Sequence, residues 1–216
     1  MDHMRLVYED DDVLVVDKPA GLLTIATETE RSRTLYALLR AYANNKKPAE
    51  KVFVVHRLDR EASGLLVFAK NIEAKERLQD QFKDHSAGRR YVAAVEGRVA
   101  HDTFTIRSHL SENSAFRVYS TQKPRAGKLA ITHVRVLKRR PKSTLLEVRL
   151  ETGRKHQIRV HLADRGHPII GDMVYGSRIN PIRRLALHGA SLEFRHPATG
   201  KRMHFESKPP ESFNAL

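Results

Sequence analysis

The feature that most narrows the folds open to this chain is a charged loop held between two short apolar runs. Val52–Val55 and Leu65–Ala69 flank His56, Arg57, Leu58, Asp59, Arg60, Glu61, Ala62, Ser63 and Gly64. Short apolar runs rich in β-branched residues and bounded by turn formers read as buried strands. The loop must therefore hold two guanidinium groups and two carboxylates at the edge of a core. Ser63-Gly64 reads as a sharp turn that closes it.

The rest of the chain extends that pattern. Met4–Tyr8 and Val13–Leu23 read as strand, acidic turn and strand, with a Pro-Gly turn over Lys18–Gly21. The acidic run Glu9–Asp12 reads as a solvated turn. Leu35, Leu38, Leu39 and Tyr42 recur at helical spacing behind Thr34, a fitting N-cap. A second helix is expected behind Asn71, with Ala74, Leu78 and Phe82 on one face and a Glu73–Arg77 pair on the other. Gly88 is expected just past its end. Arg89–Gly97 alternates as a strand, and several β segments follow from Thr103 to Arg149. Leu150–Asp172 reads as a strand end, a Thr-Gly turn and a short helix stopping near Gly166. Ala186–Glu206 reads as a hairpin around Pro197–Gly200. With no repeat and no low-complexity linker, one α+β domain is expected over residues 1–216. Met1–His3 reads as a cloning remnant and 207–216 as a tail.

Composition bounds the function. In 216 residues there are 39 Lys and Arg against 25 Asp and Glu, a formal charge of +14. A domain this basic repels itself unless it meets a polyanion, and nucleic acid is the commonest one. Generic basicity or adhesion to anionic lipid are the alternatives. No apolar run approaches the roughly 20 residues that span a bilayer, and no long apolar core of a signal peptide opens the chain. The absence of cysteine excludes disulfides and thiolate zinc sites. A cytoplasmic protein without a membrane partner is the expectation, and no coiled-coil heptad argues against a monomer.

Asp59 carries the chemistry of the loop. A carboxylate beside Arg57 and Arg60 stays ionised, so it can attack, accept a proton or anchor, but it cannot donate one. A retaining glycosidase would need a second carboxyl about 5 Å away, and Glu61 is the candidate. Taken alone, the loop fits an Asp–Arg surface pair more readily than a catalytic group, since such pairs are the commoner case. Twelve histidines invite a metal reading. Yet His56, His156, His161 and His167 make no tight ligand spacing, so no metal is expected.

The loop does not stand alone. His56–Gly64 resembles the signature loop of the RluA-type pseudouridine synthases. Asp17–Thr24 is similar to that family's first strand and turn, and Arg89–Gly97 to its tyrosine strand. Thr152–Asp172 is similar to its basic helix block and Leu185–Pro197 to its closing hairpin. Five blocks in family order cover most of the chain.

The resemblance implies an RNA uridine isomerase that converts uridines in structured transfer or ribosomal RNA to pseudouridine. The N1–C1′ bond breaks and C5 joins the sugar, with no cofactor. The lack of a P-loop or a Gly-rich dinucleotide fingerprint agrees. It implies a mostly antiparallel mixed sheet flanked by helices and loops, with Asp59, Tyr91 and Arg159 meeting in a cleft. By the same match Asp59 is the catalytic aspartate, either attacking the sugar or removing a sugar proton. Tyr91 stacks on the uracil, and Arg159 pairs with the aspartate. Arg57 displaces the target base, and His56, Arg154, His156 and Gln157 line the substrate.

Two departures matter. Ala62 stands where many relatives carry threonine, and the chain opens on the catalytic fold without the S4 domain common among them. The catalytic domain is then expected to grip RNA itself. Arg60, Arg89, Arg90, Lys123, Arg125 and Lys128 are candidates for phosphate contact, with Lys46, Lys47, Lys138, Arg139, Arg140 and Lys142 behind them. Each is also an ordinary solvated charge by type. The rival function is a catalytically silent module of the same fold that binds or folds RNA.

Overall fold

The computed structural model describes residues 4–216, so the reading of Met1–His3 lies outside the described residues. Along the chain run β1 (Arg5–Glu9), β2 (Val13–Lys18), α1 (Leu35–Lys46), β3 (Phe53–Val54), β4 (Ser63–Ala69) and α2 (Ile72–Lys83). Next come β5 (Gly88–Glu96), β6 (Thr103–Glu112), β7 (Val118–Thr121), β8 (Lys128–Arg139) and β9 (Ser143–Leu150). Then α3 (Gln157–Asp164), β10 (Leu187–Arg195) and β11 (Arg202–Glu206) close the order. Short 3-10 turns lie at Pro124–Ala126, Met173–Tyr175 and Glu211–Ala215. The class is α+β with strands in the majority, as expected. No described helix is long and apolar enough to cross a membrane.

The chain divides into two compact units, one of Met1–Gly88 with Gly189–Lys208 and one of Arg89–His188 with Pro209–Leu216. In the first unit the strand order is β1-β2-β4-β10, with β3 on β4 and β11 on β10. Every residue of β4 is buried. That explains why its sequence is a continuous apolar run rather than an alternation. Val13, Val15, Leu65, Val67, Ala74, Leu78, Leu192 and Phe194 share one core that α2 covers. Both helices start where their caps dictate. The Thr34 hydroxyl accepts from Ala37 N at 3.1 Å and the Asn71 side chain from Ala74 N at 2.8 Å. The Glu73–Arg77 pair forms at 2.5 Å.

Three local expectations change. Gly88 does not end α2: His85 takes the left-handed conformation at φ 66°, and Gly88 opens β5. The acidic run is no idle solvated turn. Glu9 accepts from Lys46 at 2.8 Å, Lys70 at 3.0 Å and Tyr42 Oη at 2.8 Å, tying the last turn of α1 to the ends of β1 and β4. Asp10 Oδ1 closes the turn through Asp12 N and Val13 N, each at 2.9 Å. Gly64 lies inside β4 rather than in a turn before it.

In the second unit the order is β5-β9-β8-β6-β7, with neighbouring strands antiparallel throughout. Here the first six residues of β6 alternate between exposed and half-buried positions, and Leu110 near its end is buried. Helix α3 settles on this sheet through Val160, which packs with Leu110, Val118, Ala130 and Tyr175. The terminal segment is docked. Phe213 is 1% exposed, with the Arg184 guanidinium 5.3 Å above its ring, and Arg140 Nη2 donates to Asn214 O at 3.0 Å.

Candidate active site

The Asp59 loop is immobilised by the strand-turn that precedes it by some forty residues in sequence. Lys18 ends β2 completely buried, and its ammonium donates to Pro19 O at 2.9 Å, Leu22 O at 2.7 Å and Arg60 O at 3.1 Å. A buried cation is tolerable only with such partners. It thereby gathers the turn and the loop around one charge. Gly21 N donates to Arg60 O at 2.8 Å and Arg60 Nε to Gly21 O at 3.0 Å. The buried Thr24 hydroxyl donates to Leu58 O at 2.8 Å and accepts from Leu58 N at 3.2 Å. Asp59 is thus clamped through its neighbours on both sides. It lies half-buried, with Arg57 and Arg60 exposed beside it.

His56 lies in the same unit. Its Nε2 accepts from Val67 N at 3.2 Å, and its ring stacks on Phe82 at 4.4 Å between centroids. The ring braces the loop against β4 and α2.

Tyr91 and Arg159 belong to the second unit. Tyr91 lies in β5 opposite Val148 of β9 and is 6% exposed, so its position is set by the sheet. Arg159 projects from α3 and meets Asp172 in a two-point pair, Nε to Oδ2 at 2.7 Å and Nη2 to Oδ1 at 2.8 Å. Both partners are almost wholly buried. Such a planar fork fixes orientation as well as charge. The Tyr175 ring lies 5.0 Å from the same guanidinium.

The basic helix block splits by role. His156 takes a left-handed φ of 53° as the N-cap residue of α3, and its Nδ1 hydrogen-bonds with Tyr175 Oη at 2.8 Å. Gln157 is buried, with all its amide valences used. Oε1 accepts from Thr152 Oγ1 and Arg154 N, and Nε2 donates to Ile131 O and Thr132 Oγ1. It braces the turn into the helix. Arg154 is exposed, and its Nε donates to Leu129 O at 3.0 Å. Of the phosphate candidates, Lys123, Arg125 and Lys128 are exposed at the β7–β8 connection. Arg89 and Arg90 are half-buried, with Arg90 3.9 Å from Glu147.

His161, on α3, is fully buried between Ser108 and Thr132 hydroxyls at 3.0 Å and 2.8 Å. Burial pushes its ring down to about 4, against a smaller opposing pull from Asp164. Metal-ligand atoms gather at Asp10, Asp12 and His196, within 4.8 Å of one another. They already serve the turn. His196 Nε2 bonds with Asp10 Oδ2 at 2.9 Å and its Nδ1 accepts from Ala198 N and Thr199 N, while Asp12 Oδ1 accepts from Asn71. This trio is a fastening between β1 and the β10–β11 turn.

Sequence reasoning passed over Lys18, Thr24, Asp172 and Tyr175. The available signal was a lysine and a threonine at the two ends of the Lys18–Thr24 turn, and the unassigned Asp172 ending the basic block.

Residues 12–164 match the profile of the RNA pseudouridylate synthase family, a stretch that includes Asp59, Tyr91 and Arg159. A ribosomal large subunit pseudouridine synthase D from Pseudomonas aeruginosa is 39% identical over 224 residues, spanning 97% of this chain and 69% of the relative. An uncharacterized RNA pseudouridine synthase from Bacillus subtilis is 40% identical over 217 residues, spanning 99% of this chain and 71% of the relative. Among solved structures, Human RNA Pseudouridylate Synthase Domain Containing 4 has the same fold, with a TM-score of 0.81 at 23% identity, over 97% of this chain and 90% of that one.

Proposed function

This chain belongs to the RNA pseudouridylate synthase family, and from that premise we propose that Asp59, Tyr91 and Arg159 are its catalytic residues and that residues 1–216 are a single catalytic domain. The enzyme is a pseudouridine synthase that acts on RNA. Its reaction is an isomerisation: N1–C1′ breaks, C5–C1′ forms, C5 loses a proton and N1 gains one.

The observation that carries the assignment is the family match itself, whose span contains all three residues. Physical chemistry supports the roles. The Asp59 carboxylate sits in a loop that cannot drift, which favours attack or proton removal at a fixed sugar position. Arg159 is held by Asp172 in one orientation, ready to support negative charge. The target uridine must leave its stack, at a cost of a few kcal/mol that is least in a loop. Exposed Arg57 is suited to fill the vacated place, and an aromatic face such as that of Tyr91 offers about 1–3 kcal/mol of stacking.

The Pseudomonas relative's name refers to the large ribosomal subunit. Large-subunit ribosomal RNA is therefore the first substrate to try, with transfer RNA the second, and the enzyme works as a cytoplasmic monomer without a cofactor. The test is Asp59→Asn, assayed by tritium release from RNA transcribed with 5-tritiated uridine. Release falls at least a thousandfold, roughly 4 kcal/mol of barrier, while RNA affinity is kept. Undiminished release would remove Asp59 from the chemistry. A wild-type protein that binds RNA and releases no tritium from any transcript would favour the silent-module alternative.

A further inference from the structure

We propose that the β6–β7 turn, Asn113–Arg117, is a nucleobase-stacking site that grips an unpaired base of the RNA on Phe116; this rests on the RNA-modifying function above. A lone exposed apolar residue needs no explanation. Phe116 is a different case. It is 74% exposed and holds a left-handed φ of 58°, a conformation that costs a bulky side chain free energy.

The surrounding turn is built to keep it there. Asn113 N donates to Arg117 O at 3.0 Å and Phe116 N to Asn113 O at 2.9 Å. Asn113 Oδ1 accepts from Ala115 N at 3.1 Å and Arg117 N at 2.9 Å. Lys155 carries its ammonium 5.7 Å from the centre of the Phe116 ring and is paired with Glu112. Strain maintained by this many bonds, on a side chain left mostly exposed, points to a use outside the fold.

The foot of the turn leads to the candidate catalytic residues of the same unit. The Arg117 guanidinium lies 5.7 Å from the Tyr175 ring, and Val118 N donates to Tyr175 Oη at 3.2 Å. The guanidinium of Arg159 lies 5.0 Å from that same ring. One tyrosine thus registers the turn against Arg159. A flat ring beside exposed cations, on a chain of charge +14, matches a partner that offers both π faces and phosphates. Unpaired RNA offers both.

The probe is a short RNA stem-loop carrying 2-aminopurine at successive loop positions. Wild-type protein quenches the fluorophore at one position, and Phe116→Ala abolishes the quench and weakens binding about tenfold, within the range of one base–aromatic stack. Phe116→Trp restores both. Phe116→Gly separates this role from a structural one, because relief of the strained backbone raises the unfolding temperature while RNA affinity falls. Unchanged affinity in the Ala and Gly variants overturns the inference and leaves the pseudouridine synthase reading standing if Asp59→Asn is inactive. A self-associating wild type that Phe116→Ala turns into a monomer, with RNA affinity unchanged, overturns it in favour of a contact between copies. A wild type that binds none of the RNAs overturns both readings.

Discussion

His161 has both ring nitrogens engaged by hydroxyls, one from β6 and one from β8, and its side chain is fully buried. Its depressed value, about 4 against an ordinary 6.5, makes folding favour the neutral ring. The sign follows directly. Between those values the unfolded chain binds a proton that the folded chain refuses, so stability falls as the pH drops from 6.5 towards 4. One such proton is worth about 1.4 kcal/mol per pH unit. Urea unfolding of wild type and His161→Gln across that window should show the variant's slope against pH reduced by about that amount. Parallel slopes would mean that the ring is protonated in the fold. Lys18 is the opposite case, a buried cation whose lost water is replaced in part by three carbonyls.

At the level of elements, backbone contact decides which glycines matter. Gly64 lies within β4 at φ 120°, and a Cβ there would stand 2.3 Å from Gly189 O and 2.4 Å from Gly189 N. No side-chain rotation relieves a clash with backbone. Gly166, just past α3 at φ 79°, has nothing within 4 Å of the same added atom. Gly166→Ala should therefore cost about 1 kcal/mol of conformational strain, and Gly64→Ala more than about 3 kcal/mol from strain and overpacking together. Urea denaturation of the two variants tests the contrast, and equal losses would refute it. The strands, the caps and the closing hairpin were legible because periodicity and cap chemistry are local properties. Gly88 misled because a histidine took the left-handed position that glycine usually fills. The Glu9–Asp12 run misled because Lys46, Lys70 and Tyr42, the partners of Glu9, lie in other elements. The site divided in the same way. Asp59, Tyr91 and Arg159 were named through motif resemblance, whereas Lys18 and Tyr175 act across 42 and 57 residues of sequence, where no spacing rule reaches.

For the molecule as a whole, the charge of +14 is the property that no single contact explains. Some of it is spent internally, for Arg77, Arg139, Lys155, Arg159 and Arg202 each meet a carboxylate. Lys123, Arg125 and Lys128 are exposed within six residues of chain and have no ion pair among the described contacts. An excess of this kind speeds encounter with a polyanion and ties affinity to salt. If RNA phosphates meet these three side chains, each releases a counterion, and the triple alanine variant should flatten the plot of log affinity against log salt. The expected change in slope is about 2, from roughly 0.7 per single-strand phosphate. Removing Arg202, whose charge Glu193 already holds at 2.7 Å, should leave the slope as it was. Stem-loop binding measured between about 50 and 200 mM salt spans the range in which such slopes are read. A triple variant with the wild-type slope would identify the cluster as solvated charge, and the search for phosphate contacts would move to Arg89 and Arg90.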